Sequence, residues 1–250
     1  MADPLRLYGL KAIVTGAASG IGEAIARTFI KHGADVLAVD APSSGIDRQF
    51  SSVRGITGFE ADFRDAGGID AMLRQATEMF GGADIVVCNV DAHPDQPIAP
   101  GDDATLDRAV QAKHELLTSI CDKAMPLLEK SPAGRIILIG FVRSFFAQQA
   151  HDAFSESERR LAELTRDLGT RVGEFGITAN YIQPGAIMTP DSRRVFSKDK
   201  GLRDFCIGMS AAKRLGEPID VAKVALFLAT DDSVFVNGAG IVVDGGASAQ

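Results

Sequence analysis

Short apolar runs that alternate with segments of helical period constrain this chain more than any other feature. Ala12–Thr15, Asp35–Val39, Gly55–Glu60, Asp84–Cys88, Arg135–Ile139, Ile177–Ile182 and Gly240–Val243 have strand length and carry few polar residues. Between most of them lie stretches with one apolar stripe: Ile21, Ala24, Ile25 and Phe29 in 20–31, a helix over Ala66–Phe80 closed by Gly81 and Gly82, then Leu106, Val110, Leu117, Ile120 and Leu127. Leu161, Leu164, Leu168, Val172 and Phe175 form the next stripe, followed by a polar helical stretch to Ala212 and a helix over Pro218–Leu228. Strands apolar along their whole length and separated by helices predict a parallel sheet covered on both faces, an α/β fold of three layers. No linker or internal repeat divides the pattern, so the 250 residues read as one domain. In such sheets ligands bind beyond the carboxyl ends of the strands, which makes the residues just after each apolar run the informative ones.

Charge and leader signals narrow the partners. A formal net charge of −7 argues against nucleic acid, whose phosphates need a basic surface. The start, MADPLRLYGL, has no apolar core of signal-peptide length, and no apolar run is long enough to span a bilayer. The expectation is a cytoplasmic protein without membrane contact. Cys88, Cys121 and Cys206 match neither a disulfide framework nor a zinc pattern, so buried thiols and no metal site are expected.

The turn after the first strand is Thr15-Gly-Ala-Ala-Ser-Gly-Ile-Gly22. Glycines let a backbone approach a pyrophosphate closely, and the following helix offers amide groups and the positive end of its dipole. Gly16, Ser19, Gly20, Ile21 and Gly22 are therefore candidate cofactor residues. Asp40 ends the second strand where an acid accepts hydrogen bonds from the adenosine ribose, and its charge repels a 2′-phosphate. NAD is expected and NADP disfavoured. Asp62, followed by Phe63, comes after the third strand and is placed to face the adenine amino group.

The motifs together resemble the short-chain dehydrogenase/reductase family over essentially the whole chain. The resemblance rests on Thr15 to Gly22, Asp62, Asn89, Asn180 to Gly185 (Asn-Tyr-Ile-Gln-Pro-Gly) with Ile187 and Thr189, Arg214 to Pro218, and Asp244-Gly245-Gly246. It implies a doubly wound, seven-stranded Rossmann sheet, a substrate loop at about 186–213, and a homodimer or homotetramer. It also implies that Asn89, Pro184, Gly185, Ile187 and Thr189 serve the nicotinamide half, with Thr189 near the carboxamide.

Members of that family carry a serine after the fifth strand, a tyrosine thirteen residues later, a lysine four beyond the tyrosine, and an asparagine in the long fourth helix. The tyrosine moves a proton to or from the substrate oxygen, the lysine holds the nicotinamide ribose and lowers the tyrosine pKa, the serine polarises the oxygen, and the asparagine organises a relay water. Gly134 to Ile139 on one side and Leu164 to Arg166 with Asn180 to Gly185 on the other place Phe141, Phe154 and Glu158 at the first three positions. Counting back from Pro126 places Lys113 at the fourth. A shifted alignment does not restore the set, because Tyr8 and Tyr181, the two tyrosines, lie in other elements.

The expected arrangement has Lys113 and Glu158 paired across the old site, or both turned to solvent; Glu158 is also a candidate acceptor for ribose hydroxyls. Ser144 and His151 are candidate substitute proton donors, His93 a weaker one, and His114 reads as packing or surface. Two functional readings follow. One is an NAD-binding, dehydrogenase-like scaffold, sensor or partner subunit with little or no family chemistry. The other is a divergent NAD-dependent oxidoreductase that acts on a small carbonyl or alcohol substrate through a different proton donor.

Overall fold

The computed structural model describes residues 5–90, 102–142 and 151–248. Its seven strands are β1 (Lys11–Thr15), β2 (Asp35–Asp40), β3 (Ile56–Glu60), β4 (Ile85–Cys88), β5 (Arg135–Ile139), β6 (Thr178–Pro184) and β7 (Gly240–Val243). They form one parallel sheet in the order β3-β2-β1-β4-β5-β6-β7. The helices are α1 (Gly20–Lys31), α2 (Ile46–Phe50), α3 (Ala66–Phe80), α4 (Asp103–Leu128), α5 (His151–Val172), α6 (Pro190–Lys198), α7 (Lys200–Met209) and α8 (Pro218–Ala229).

The apolar runs are strands because both of their faces are covered. Val14, Val36, Ala38, Val87 and Ile137 meet α1 and α8 in one core. Ile13, Leu37, Val39, Val86 and Leu138 meet the α3, α4 and α5 residues Met72, Leu117, Ile120, Leu164 and Leu168 in the other. The expected doubly wound, three-layer architecture is what the chain adopts. All three cysteines are buried free thiols, and the thiol pKa of Cys121 is raised well above the ordinary value by a hydrogen bond with Cys88 and by burial.

Two local features depart from the sequence expectation. Residues 46–50 make a short helix, α2, too brief for its period to register. The stretch before Ala212 is two helices: Asp199 ends α6 and caps α7 by accepting from the Leu202 amide at 2.8 Å. At the other end of the strong signals, Gly81 closes α3 in the left-handed region, φ 77°, as its position predicts.

Candidate functional site

The chain reverses direction across the sheet between β1 and β4, which are neighbours although β2 and β3 intervene in sequence. A crevice is expected at that switch point, and a cleft of about 990 Å³ opens there, beyond the carboxyl ends of the strands. Nine of the expected cofactor residues line it: Gly16, Ser19, Gly20, Ile21, Asp40, Asp62, Phe63, Asn89 and Thr189.

The glycine-rich turn is held in a shape that other residues would not allow. Gly16 has φ 61°, and a Cβ there would lie 1.9 Å from the Asn89 carbonyl oxygen. A Cβ on Gly22 would lie 2.1 Å from the Gly16 carbonyl oxygen, so α1 starts directly beneath the turn. Asn89 ties β4 to this turn: its amide donates to Thr15 Oγ1 at 3.0 Å and its Nδ2 to the Gly16 carbonyl at 3.1 Å. Gly20 faces Thr189, whose side chain would meet a Cβ there at 3.3 Å, so the start of α6 closes over the start of α1. Ser19 occupies the N-cap of α1 without a capping bond from its side chain. Backbone amides at the end of a twelve-residue helix therefore face the cleft.

Asp40 is half-buried and binds on both sides. Its Oδ2 accepts from the Ala18 amide at 2.8 Å and its Oδ1 from the Ala41 amide at 2.7 Å. These bonds join the glycine-rich turn to the end of β2 and leave further lone pairs toward the cleft. Asp62 lines the cleft with its carboxylate engaged: Arg64 grips it at 3.0 Å with both Nε and Nη2, and this holds its pKa below the ordinary value. The cleft wall thus carries Arg64 beside Asp62.

The remaining predicted residues lie around the cleft. Gly22 supports the turn from below. Pro184 ends β6 beside β7 and Gly185 follows it, where a Cβ on Gly185 would be 2.6 Å from Asp244 Cα. Ile187 is buried and bridges Gly216, shaping the backbone that leads to Thr189. Thr189 itself caps α6, accepting from the Ser192 amide at 3.1 Å. Sequence reasoning missed the α4 wall, Ala112, Glu115, Leu116 and Ser119, whose spacing puts one mixed-polarity face of the helix along the cleft.

Beside the cleft, Gly140 also borders a cavity of about 20 Å³, the space of about one water. Phe141, Lys113, His114, Ser157 and Arg160 are among its other walls. Phe141 is buried, and Lys113, a residue 4% exposed, holds its ammonium 4.3 Å from the Phe141 ring centroid in a cation–π contact. Burial removes the solvent-facing alternative for Lys113. Phe154 is buried on the first turns of α5, and the Ser157 hydroxyl donates to its carbonyl at 2.7 Å. Burial and the charge of Arg160 lower the pKa of His114. Glu158 lies half-buried on α5, and burial together with the charge of Glu158 raises the pKa of Tyr181. Tyr181 lies against Gly240 on β7, and Tyr8 is exposed near Gly33; neither lines the cleft. Ser144 and His93, and the side chain of His151, lie outside the described residues.

Among the described residues, no group of three or more His, Cys, Asp or Glu is placed to hold a metal, and no helix is long and apolar enough to cross a membrane.

Known proteins share this pattern over nearly its full length. A family described as enoyl-(acyl carrier protein) reductase matches residues 16–248. The chain is 28% identical over 253 residues to oxidoreductase UcpA of Salmonella typhimurium, covering 97% of this chain and 96% of that protein. It is 31% identical over 242 residues to (2S)-[(R)-hydroxy(phenyl)methyl]succinyl-CoA dehydrogenase subunit BbsD of Thauera aromatica, covering 95% and 96%. Among solved structures, levodione reductase superposes with a TM-score of 0.84 at 26% identity, covering 98% of this chain and 99% of that one.

Proposed function

Because the chain belongs to the short-chain dehydrogenase/reductase family of oxidoreductases, whose members bind a nicotinamide cofactor, we propose that it binds NAD(H) in the 990 Å³ cleft and has lost most of the family's proton-transfer chemistry. The bound cofactor supplies hydride exchange; the chain supplies the cradle. In this reading the α1 amides and the glycine-rich turn receive the pyrophosphate, and Asp40 receives the adenosine ribose and rejects a 2′-phosphate. Thr189 and the backbone from Pro184 border the nicotinamide end, with Glu158 an acceptor for ribose hydroxyls. Residues of about 186–213 cover the substrate side.

The observation that carries the reading is the pair of buried phenylalanines. Phe141 follows β5 and Phe154 sits at the start of α5, where the family pattern places serine and tyrosine. A phenyl ring has no proton to give and no oxygen to polarise a carbonyl. Losing a positioned acid or base costs about 10²–10⁴ in rate, and an oxyanion donor on the order of 10²–10³. Lys113, stacked on Phe141, fills the space with a cation rather than a proton relay.

A second reading, a divergent oxidoreductase for a small carbonyl or alcohol, draws support from the dehydrogenase named among the relatives. Titration with NADH, NAD and NADPH tests the cofactor assignment; tighter NADPH binding overturns the role given to Asp40. A panel of ketones, aldehydes and secondary alcohols then separates the readings. Steady turnover that vanishes in Ser144→Ala or His151→Ala establishes the divergent enzyme. Joint reversion of Phe154→Tyr, Glu158→Lys, Phe141→Ser and Lys113→Asn asks whether the pocket still fits a substrate. A homodimer or homotetramer in the cytoplasm completes the proposal: β7 is an edge strand with Val242 half exposed, and nearby Val234 and Phe235 are exposed large apolar residues. Light scattering measures the assembly.

A further inference from the structure

Resting on that cofactor reading, we propose that Glu60 is a second anionic determinant of cofactor choice, positioning the 41–45 loop beside the ribose site and adding its charge to that of Asp40 against a 2′-phosphate. Asp40 and Glu60 are register partners at the ends of neighbouring parallel strands, so their side chains leave the sheet on the same side. Asp40 holds the glycine-rich turn through the Ala18 amide. Glu60 holds the next loop: its Oε2 accepts from the Ser43 amide at 3.0 Å and its Oε1 from the Gly45 amide at 2.9 Å.

That loop needs holding. Ser43 has φ 70°, a left-handed conformation that costs a non-glycine residue about 1–2 kcal/mol. Ala41 and Pro42, in the same loop, line the cleft directly beside Asp40. The loop is therefore both a wall of the proposed adenosine site and a strained segment, held at Ala41 by Asp40 and at Ser43 and Gly45 by Glu60. Two adjacent carboxylates repel, and four backbone N–H donors, two on each, compensate that repulsion. Of two cations near this wall, Arg48 is exposed and faces Asp47 at 4.0 Å, so solvent screens its attraction for a phosphate, and Arg64, which lines the cleft, has its charge met by both oxygens of Asp62 at 3.0 Å.

Taking a separation on the order of 8 Å, a carboxylate would disfavour a dianionic 2′-phosphate about sixfold in water-like surroundings at low salt. The experiment compares NADH and NADPH dissociation constants for the intact chain, Glu60→Gln, Asp40→Asn and the double variant, at low and at high salt. Glutamine removes the charge and keeps one of the two acceptors; its amide nitrogen meets the other backbone N–H, so any loosening of the loop falls on both cofactors alike and the lost charge is read in their ratio. The expected result is an NADH-to-NADPH affinity ratio that narrows about sixfold in Glu60→Gln, a further narrowing in the double variant beyond Asp40→Asn alone, and a difference that shrinks in high salt. Equal losses for both cofactors make Glu60 a structural brace only and overturn the proposal, as does an unchanged ratio. Should Glu60→Gln fail to fold, Glu60→Gln with Ser43→Gly, which relieves the loop, is measured against Ser43→Gly with the same expected ratio. If the intact chain binds neither cofactor, the cleft assignment itself falls, and that outcome is distinct from an unaltered ratio.

Discussion

Replacing Gly22 by alanine tests both how the glycine-rich turn is built and what it is for. The added methyl would lie 2.1 Å from the Gly16 carbonyl oxygen, 2.7 Å from its carbon and 2.8 Å from Asn89 Nδ2. Ordinary contact needs more than 1 Å of additional separation, and two of those three atoms are backbone. The first turn of α1 must therefore move off the turn, and the Asn89-to-Gly16 hydrogen bond is strained with it. Overpacking of this kind costs about 1–3 kcal/mol, and the hydrogen bond adds about 0.5–1.5 kcal/mol. Better helix propensity in alanine returns up to about 1 kcal/mol. The net loss is about 2–3 kcal/mol, which for a chain of this size lowers Tm by roughly 4–12 °C. Gly82→Ala is the control: it has no neighbour within 4 Å and no left-handed φ, so it is neutral or slightly stabilising. Calorimetric melts of both variants, with NADH fluorescence titrations, give the readout. Displacing the α1 amides weakens NADH at least about tenfold in Gly22→Ala, since misplacement by about 1 Å disrupts a positioned contact strongly. A Gly22→Ala melt matching that of Gly82→Ala would refute the packing argument, and unchanged NADH binding would refute the placement of the cofactor.

Asn237 links β6 to α5, accepting from the Ala179 amide and donating to the Gly169 carbonyl, both at 2.9 Å. Asn237→Ala removes both bonds and is expected to lower the urea-unfolding free energy by about 1–3 kcal/mol. Arg135 is buried at the start of β5 with its Nε lacking a partner, and its ion pair to the exposed Asp231 spans 3.4 Å. Arg135→Met is expected to be neutral or stabilising by up to about 2 kcal/mol in a thermal melt; a loss above about 3 kcal/mol contradicts the view that the charge costs more than it returns. His114 has a lowered pKa in the folded chain because of burial and Arg160. The unfolded chain then binds the additional proton, so stability present above about pH 6.5 declines as pH falls toward the folded pKa. Chemical denaturation at several pH values is expected to show that decline, and His114→Gln to flatten it.

What the sequence displays and what it conceals follow from how each feature is made. Val36 to Val39 are fully buried, and a strand covered on both faces can be written only as an apolar run, so the sheet was readable. The glycines at 16 and 22 were equally readable, because a Cβ at either would overlap neighbouring backbone. The α4 wall was hidden: Ala112, Glu115, Leu116 and Ser119 share a face by spacing but not by polarity, so no periodic signal marks them. Asp62 was visible as an acid, yet whether its carboxylate is engaged depends on Arg64 two residues on, a matter of rotamer and not of pattern. Glu60 read only as the end of a strand, since its acceptor role needs the register with Asp40 and the turn of a loop at once. The same division separates the two halves of the site. The cofactor cradle is backbone, and its requirements are written in residues with no substitute. The reactive half is side chains brought from α4, β5 and α5, where Phe141 and Phe154 join the buried hydrophobic residues and Lys113 finds an aromatic face. On the proposed reading, rings in place of polar groups there add apolar burial to the fold while removing the means of moving a proton, so the sheet and the glycine-rich turn do not depend on the chemistry.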